Sequence, residues 1–457
     1  MQRLAGRMIR AAIVAVGLAT AALPLRAETL ADALIAAYRN SNLLEQNRAV
    51  LRAADEDVAI ALSSLRPIVA LDGTGTWTNQ RFDQLQASLA LSAEITVYDF
   101  GRNRLALDVQ KEVVLATREG LVAQEQQVLL NAVSAYINIR LSQEIVSLRQ
   151  SNERLITQEL RAARDRFDLG ETTRTDVALA EARLATSSSQ LIAAQGDLLV
   201  ARENYLLAVG RYPGNLAPPP KAPRTARSLD EARGIASRTH PTVRRAQREV
   251  TIGELNMARA KAGTRPTVTA RASIGIDDQN RGQSRSASVG VNQTLYAGGR
   301  LSALYRQALA RRDQSRANLL QTTAEVGRDV GEAWANLNVA AASIEASDRE
   351  IRAAQTAFDG VREEANLGAR TTLDVLDAEQ DLLSARTNRV SAEATRYLGV
   401  YQLLSTMGLL TVDHLGLGIP TYDPAAYYNA VKNAPATSAQ GRKLDRVLKS
   451  IGRTSTD

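Results

Sequence analysis

From Gln84 to Val97 polar and apolar side chains alternate without interruption. Leu85, Ala87, Leu89, Leu91, Ala93, Ile95 and Val97 share one face; Gln86, Ser88, Ala90, Ser92, Glu94 and Thr96 share the other. A period of two predicts a half-buried strand. Just upstream, Val69, Leu71, Gly73, Gly75 and Trp77 alternate with Ala70, Asp72, Thr74 and Thr76, and the polar Asn79–Asp83 predicts the turn between the two strands. The pattern returns after Pro266. There Val268, Ala270, Ala272, Ile274 and Ile276 oppose Thr267, Thr269, Arg271, Ser273 and Asp277. Beyond a polar loop, Asp278–Arg285, the residues Ala287, Val289, Val291 and Leu295 oppose Ser286, Ser288, Asn292 and Thr294. Asp72, Glu94, Arg271 and Asp277 all land on polar faces, which supports the register.

Behind each strand pair the period lengthens to three or four. Arg102–Arg166 contains no proline, and Val109, Val113, Ala116, Val128, Ala132, Ala135 and Ile139 keep helical spacing. At 1.5 Å per residue such a helix is roughly 100 Å long, a length suited to a coiled coil or a barrel of helices. The turn Asp168–Arg174 sends the chain back through a second helix, Thr175–Val209, and Leu301–Asn366 with Thr372–Met407 repeats the hairpin. Upstream, Leu30–Leu65 predicts one helix, stopped by Pro67.

The chain is thus written twice. Tyr98-Asp99-Phe100-Gly101-Arg102 is echoed by Tyr296-Ala297-Gly298-Gly299-Arg300, and Leu169-Gly170 with Asp176 by Leu367-Gly368 with Asp374, each 198 residues on. Gly210 matches Gly408 and Asn42 matches His240 at the same offset, while Pro67 matches Pro266 at 199. Gly101, Gly298 and Gly299 mark junctions from strand to helix. The expected organisation is a leader over 1–27, a first repeat over 28–210 (strand pair 67–98, hairpin turn near 168–174) and a crossover linker over 211–228. A second repeat covers 229–408 (strand pair 266–296, turn near 367–371), followed by a segment over 409–430 and a basic, flexible tail over 431–457.

Composition removes most chemistry. The 457 residues include no cysteine and two histidines, which excludes disulfides, Cys-ligated zinc, a thiol nucleophile and a three-His metal site within one chain. His240, before Pro241, reads as a helix cap, and His414, among leucines, as packed. Ala260-Lys261-Ala262-Gly263 lacks the glycines of a phosphate loop. The net +7 belongs to the ends: 1–27 carries +4 and 431–457 carries +4, which leaves −1 on 28–430. A near-neutral body argues against nucleic acid as a partner. No cofactor, metal or enzymatic activity is indicated.

Arg3, Arg7 and Arg10, the apolar run Ala11–Leu23 and then Leu25-Arg26-Ala27 read as a secretory signal cleaved after Ala27. The run is too short to span a bilayer and no other apolar stretch is longer, so insertion would use the strands. Lipid tolerates no open sheet edge, and four strands close no barrel. Two, three or more chains must then pool their strands, with Val69, Leu71, Trp77, Leu85, Leu89, Leu91, Ile95 and Val97 facing lipid. Trp77, Tyr98, Phe100 and Tyr296 sit near the strand ends. The alternative is a soluble sheet on a helical stalk. In function, a passive export duct stands against a structural or adhesive periplasm-spanning protein.

Over about residues 28–430 the chain resembles the TolC-type outer-membrane efflux family, the outer-membrane factors of tripartite efflux pumps and type I secretion systems. The carriers are the duplicated strand pairs, the exits Tyr98–Arg102 and Tyr296–Arg300, and above all the turn Leu367-Gly368-Ala369-Arg370-Thr371-Thr372-Leu373-Asp374-Val375-Leu376-Asp377-Ala378. The resemblance implies a homotrimer in the outer membrane of a Gram-negative bacterium. The fold would be mostly α, with four strands per chain closing a twelve-stranded β-barrel that continues as a periplasmic α-helical barrel. An equatorial region would use Arg211–Leu229 and the segment after Met407. The implied function is a passive exit duct for drugs, toxins or secreted proteins. It would be coupled through a periplasmic adaptor (membrane fusion) protein to an inner-membrane transporter of the resistance-nodulation-division or ABC type. Matched position by position, Asp374 and Asp377 correspond to the paired aspartates of the periplasmic gate, and an i, i+3 spacing puts both on one helix face. Arg370, Asp176 and Thr175 correspond to links that tether neighbouring hairpins. Leu169, Gly170, Leu367 and Gly368 correspond to the tips an adaptor grips. Where the family often has a tyrosine this chain has Ala365, so one tether is missing or replaced. Asp374 and Asp176 also open helices, where a carboxylate serves the N-terminus.

Overall fold

A computed structural model describes residues 27–79, 83–277, 283–433 and 446. The leader, the tips of the two strand pairs and most of the basic tail therefore lie outside the described residues. The elements are α1 (Leu30–Asn40), α2 (Asn42–Ser63), β1 (Ile68–Asn79), β2 (Asp83–Tyr98), α3 (Arg102–Asp168) and α4 (Arg174–Val209). They recur as α5 (Leu229–Thr239), α6 (Pro241–Ala262), β3 (Thr267–Asp277), β4 (Gln283–Asn292), α7 (Arg300–Asn366) and α8 (Thr372–Thr406), and α9 (Pro424–Val431) follows.

The helix expected over Leu30–Leu65 is two helices, because Ser41 interrupts it. Its hydroxyl accepts from the Leu44 amide at 3.2 Å, capping α2. In the second copy His240 Nδ1 accepts from the Thr242 amide at 3.3 Å, and Pro241 opens α6. The cap reading of His240 holds, but its counterpart is Ser41 rather than Asn42. His414 does not pack; it is exposed, and its amide donates to Thr411 Oγ1.

The four strands form one antiparallel sheet in the order β1-β2-β3-β4. Apolar rows run straight across it: Leu71 stands opposite Leu91 and Leu91 opposite Ile274, while Glu94 opposes Arg271 on the other face and pairs with it. Val69, Leu71 and Trp77 are each more than 60% exposed, the signature of a sheet face with nothing of its own chain to cover it. Arg285, given to the loop by the sequence, lies within β4, which begins at Gln283, and stands opposite Ile274 on the apolar row. That strand also stops at Asn292, short of the expected Leu295. Its one partner, β3, begins at Thr267 after Pro266, which donates no ladder bond.

The helices continue this open order. Nearer the strands α2 packs on α3, α3 on α6 and α6 on α7; toward the hairpin turns α4 packs on α3, α3 on α8 and α8 on α7. Each long helix of 67 residues spans about 100 Å. No helix among the described residues is long and apolar enough to cross a membrane.

The main core lies where these halves meet, around Leu30, Tyr38, Leu129, Tyr136, Tyr205, Leu403 and Leu410. Glu28 ties it together. Its carboxylate accepts from Tyr205 Oη at 2.7 Å and Arg211 Nη2 at 2.7 Å, and its carbonyl from Tyr136 Oη at 3.1 Å. Two glycines end the return helices there. Gly210 (φ +85°) lies against Asn40, and Gly408 (φ +75°) lies against His240, where a Cβ would come within 2.7 Å of backbone.

Candidate functional site

The candidate site lies at the pair of hairpin turns farthest from the strands. Each is built by the same local code. Gly170 (φ +78°) and Gly368 (φ +79°) take left-handed backbone, so that the Glu171 amide donates to Arg166 O at 2.8 Å and the Ala369 amide to Glu364 O at 2.9 Å. Such bonds satisfy carbonyls that a helix end leaves open. Leu169 and Leu367 project from the tips, 75% and 79% exposed.

The returning helices start with capping boxes. Asp176 accepts from Thr172 Oγ1 at 2.7 Å, the Thr173 amide at 3.0 Å and Thr173 Oγ1 at 2.8 Å. Asp374 accepts from the Thr371 amide and Thr371 Oγ1, each at 2.9 Å. These bonds hold both carboxyls below the ordinary aspartate range. Both aspartates therefore serve their own helix N-termini, and both stay ionised at neutral pH.

Within one chain, Arg370 does not meet Asp176; its Nε pairs with Glu364 of its own hairpin at 2.8 Å. Thr175 is exposed. Asp377, one turn beyond Asp374, is bound by Arg183 of α4, so the two hairpins of one chain are joined at this aspartate. Ala365 packs with Phe358, Val375 and Leu382. Gly101 (φ +79°) and Gly299 (φ +83°) are the N-caps of α3 and α7, and Gly298 (φ +56°) precedes the latter.

Sequence reasoning missed a buried triad above the tips. Asn152 of α3, Ser187 of α4 and Glu379 of α8 are each under 10% exposed. Ser187 Oγ donates to Asn152 Oδ1 at 2.8 Å, and Asn152 Nδ2 donates to Glu379. Burial raises the Glu379 carboxyl, against the Asn152 bond and the fields of Arg386 and Arg149. The available signal was a charge on a helical face shared with Val375, Leu382 and Leu383, all buried. Its repeat partner Glu181 is exposed and pairs with Arg164 at 2.6 Å. Among the described residues no cluster of His, Asp and Glu is placed to hold a metal.

An open sheet with an apolar outer face, continued by an open arc of very long helices, defines a chain that completes two barrels only with copies of itself. The outer membrane efflux protein family matches residues 34–211 and 234–409. The chain belongs to this family. It is 35% identical to the outer membrane efflux protein BepC of Brucella suis, over 93% of this chain and 95% of that protein. It is 24% identical to the outer membrane protein TolC of Escherichia coli, over 91% of this chain and 90% of that one. Its fold matches the CmeC outer membrane channel of Campylobacter jejuni with a TM-score of 0.74 at 14% identity, covering 90% of each chain. The protein is accordingly a trimeric outer-membrane efflux or secretion duct of the tripartite kind, and not an enzyme. The stalk and adhesive readings give way to it.

Proposed function

We propose that the hairpin tips form the periplasmic gate of this duct. Asp374 and Asp377 of three chains make two stacked rings of carboxylates at the constriction. Arg370, Asp176 and Thr175 link hairpins of neighbouring chains in the closed state. The exposed Leu169 and Leu367, with Gly170 and Gly368, take the tips of a periplasmic adaptor, which couples the duct to an inner-membrane transporter of the resistance-nodulation-division or ABC type. The cargo is drugs, toxins or secreted proteins. One observation carries this reading: Asp374 and Asp377 stand one turn apart at the tip of α8, and the second is the point where Arg183 fastens the two hairpins together.

Rings of fixed negative charge concentrate cations. Reversal potentials across a planar bilayer under a salt gradient test the assignment. The wild-type trimer should prefer cations, and Asp374→Asn with Asp377→Asn should reduce that preference. An unchanged potential in an intact trimer would place the rings elsewhere.

A further inference from the structure

A cavity of about 1230 Å³ opens at the equator between α3, α7 and α8, and residues 219–227 of the crossover form its roof. It is remote from the gate: Arg140, on its wall, lies 28 residues along α3 from Asp168, about 42 Å. The floor is apolar, with Ile137, Leu141, Leu337 and Val390. The rim is cationic. Arg140, Lys221, Arg224, Arg227, Arg389 and Arg396 line it against two acids, Glu144 and Glu393. Arg389 is held by Asp348 at 2.7 Å and Glu393 at 3.0 Å. Lys221, Arg224, Arg227 and Arg396 form no salt bridge among the described residues.

The roof is held in place before any ligand arrives. Tyr397 Oη donates to Pro220 O at 3.0 Å, and Arg140 Nη1 donates to Leu216 O at 3.4 Å. Pro218, Pro219, Pro220 and Pro223 stiffen the strap. A crossover passing over α3 and α8 must run on the outer wall, since inside it would obstruct the duct. The recess therefore faces the periplasm.

We infer that this recess docks an acidic, amphipathic peptide segment of a periplasmic partner protein. Four cations without acidic partners call for carboxylates. The apolar floor calls for aliphatic side chains between them, which a purely hydrophilic polyanion lacks. The volume exceeds the roughly 300–1,000 Å³ of small-molecule pockets. The chain's own tail is the wrong occupant, because residues 434–457 carry Arg442, Lys443, Arg446, Lys449 and Arg453 against Asp445 and Asp457.

The test uses the detergent-solubilised full-length trimer and a fluorescein-labelled peptide of glutamate and leucine at helical spacing, read by anisotropy. Binding should occur, weaken with salt, and fall about tenfold or more in Arg224→Glu with Arg396→Glu, two exposed side chains, while trimer melting stays unchanged. Peptides with lysine for glutamate, or glycine for leucine, should bind weakly. Equal binding by the charge-reversed protein or by the lysine peptide overturns the proposal. So does binding of soluble peptidoglycan fragments in preference to the peptide, which would make the recess a glycan site.

Discussion

Gly408 and Gly368 have nearly the same φ, +75° and +79°, in opposite surroundings. A Cβ at Gly368 meets open space, whereas at Gly408 it would press on the His240 backbone. Gly368→Ala should therefore cost only the left-handed penalty, roughly 1 kcal/mol, while Gly408→Ala costs that and a displaced joint. Chemical denaturation of the trimer reads the difference; equal losses would contradict the tight joint. Asp55 gives a second residue-scale prediction. It is fully buried on α2, neither oxygen has a hydrogen-bond partner, and burial lifts its pKa from 3.8 to about 6 against the pull of Arg118, with Glu56 adding to the rise. A folded-state carboxyl pKa above the unfolded value favours folding most when protonated. This contribution is complete below about pH 3.8 and lost as pH rises through about 6. Asp55→Asn should stabilise the protein at neutral pH by no more than about 3 kcal/mol, less where solvent screens the carboxylate. It should also flatten melting temperature against pH across that window. An unchanged slope would show that Asp55 does not titrate there.

The seam of α8 with α3 and α4 carries the prediction at the scale of elements. Glu379→Ala leaves Asn152 with a buried unpaired amide, a loss of about 1–3 kcal/mol, and should loosen one hairpin from the other. Hydrogen exchange should rise along α8 near Glu379 and remain unchanged in α6; uniform exchange would deny the seam a local role. The long helices and the strands were legible because periods of two and of three to four run through them uninterrupted. Both tips were legible because a turn glycine followed by an aspartate that opens a helix is a local code; the Thr173 and Thr371 halves of the capping boxes emerged only in the structure. Ser41 was not, since one capping serine in a run of good helix formers leaves the apolar spacing intact. The end of β4 was misplaced because a strand stops where its partner stops, and its other neighbour belongs to another chain. Arg183 and Glu379 were missed for a related reason: their partners lie 194 and 227 residues away in sequence.

The molecule as a whole has two unlike edges: β1 with α2 and α4 on one side, β4 with α7 on the other. Joining one edge to the other repeats by rotation and closes a ring. The exposed apolar residues mark both edges, with Ile60 at 66%, Ile192 at 69% and Leu207 at 87% on the first, and Leu320 at 73% and Val339 at 64% on the second. The absence of cysteine makes the test clean. Val69→Cys combined with a cysteine at Ala287, Val289 or Val291 should give oxidised species that end at the trimer. A ladder running beyond three copies would contradict closure. Single-channel conductance of the purified trimer in a planar bilayer tests the gated duct most directly. The wild type should conduct weakly, and Arg183→Ala with Arg370→Ala should raise conductance several-fold while the crosslinked trimer stays intact. An intact trimer that conducts in neither form would contradict the duct.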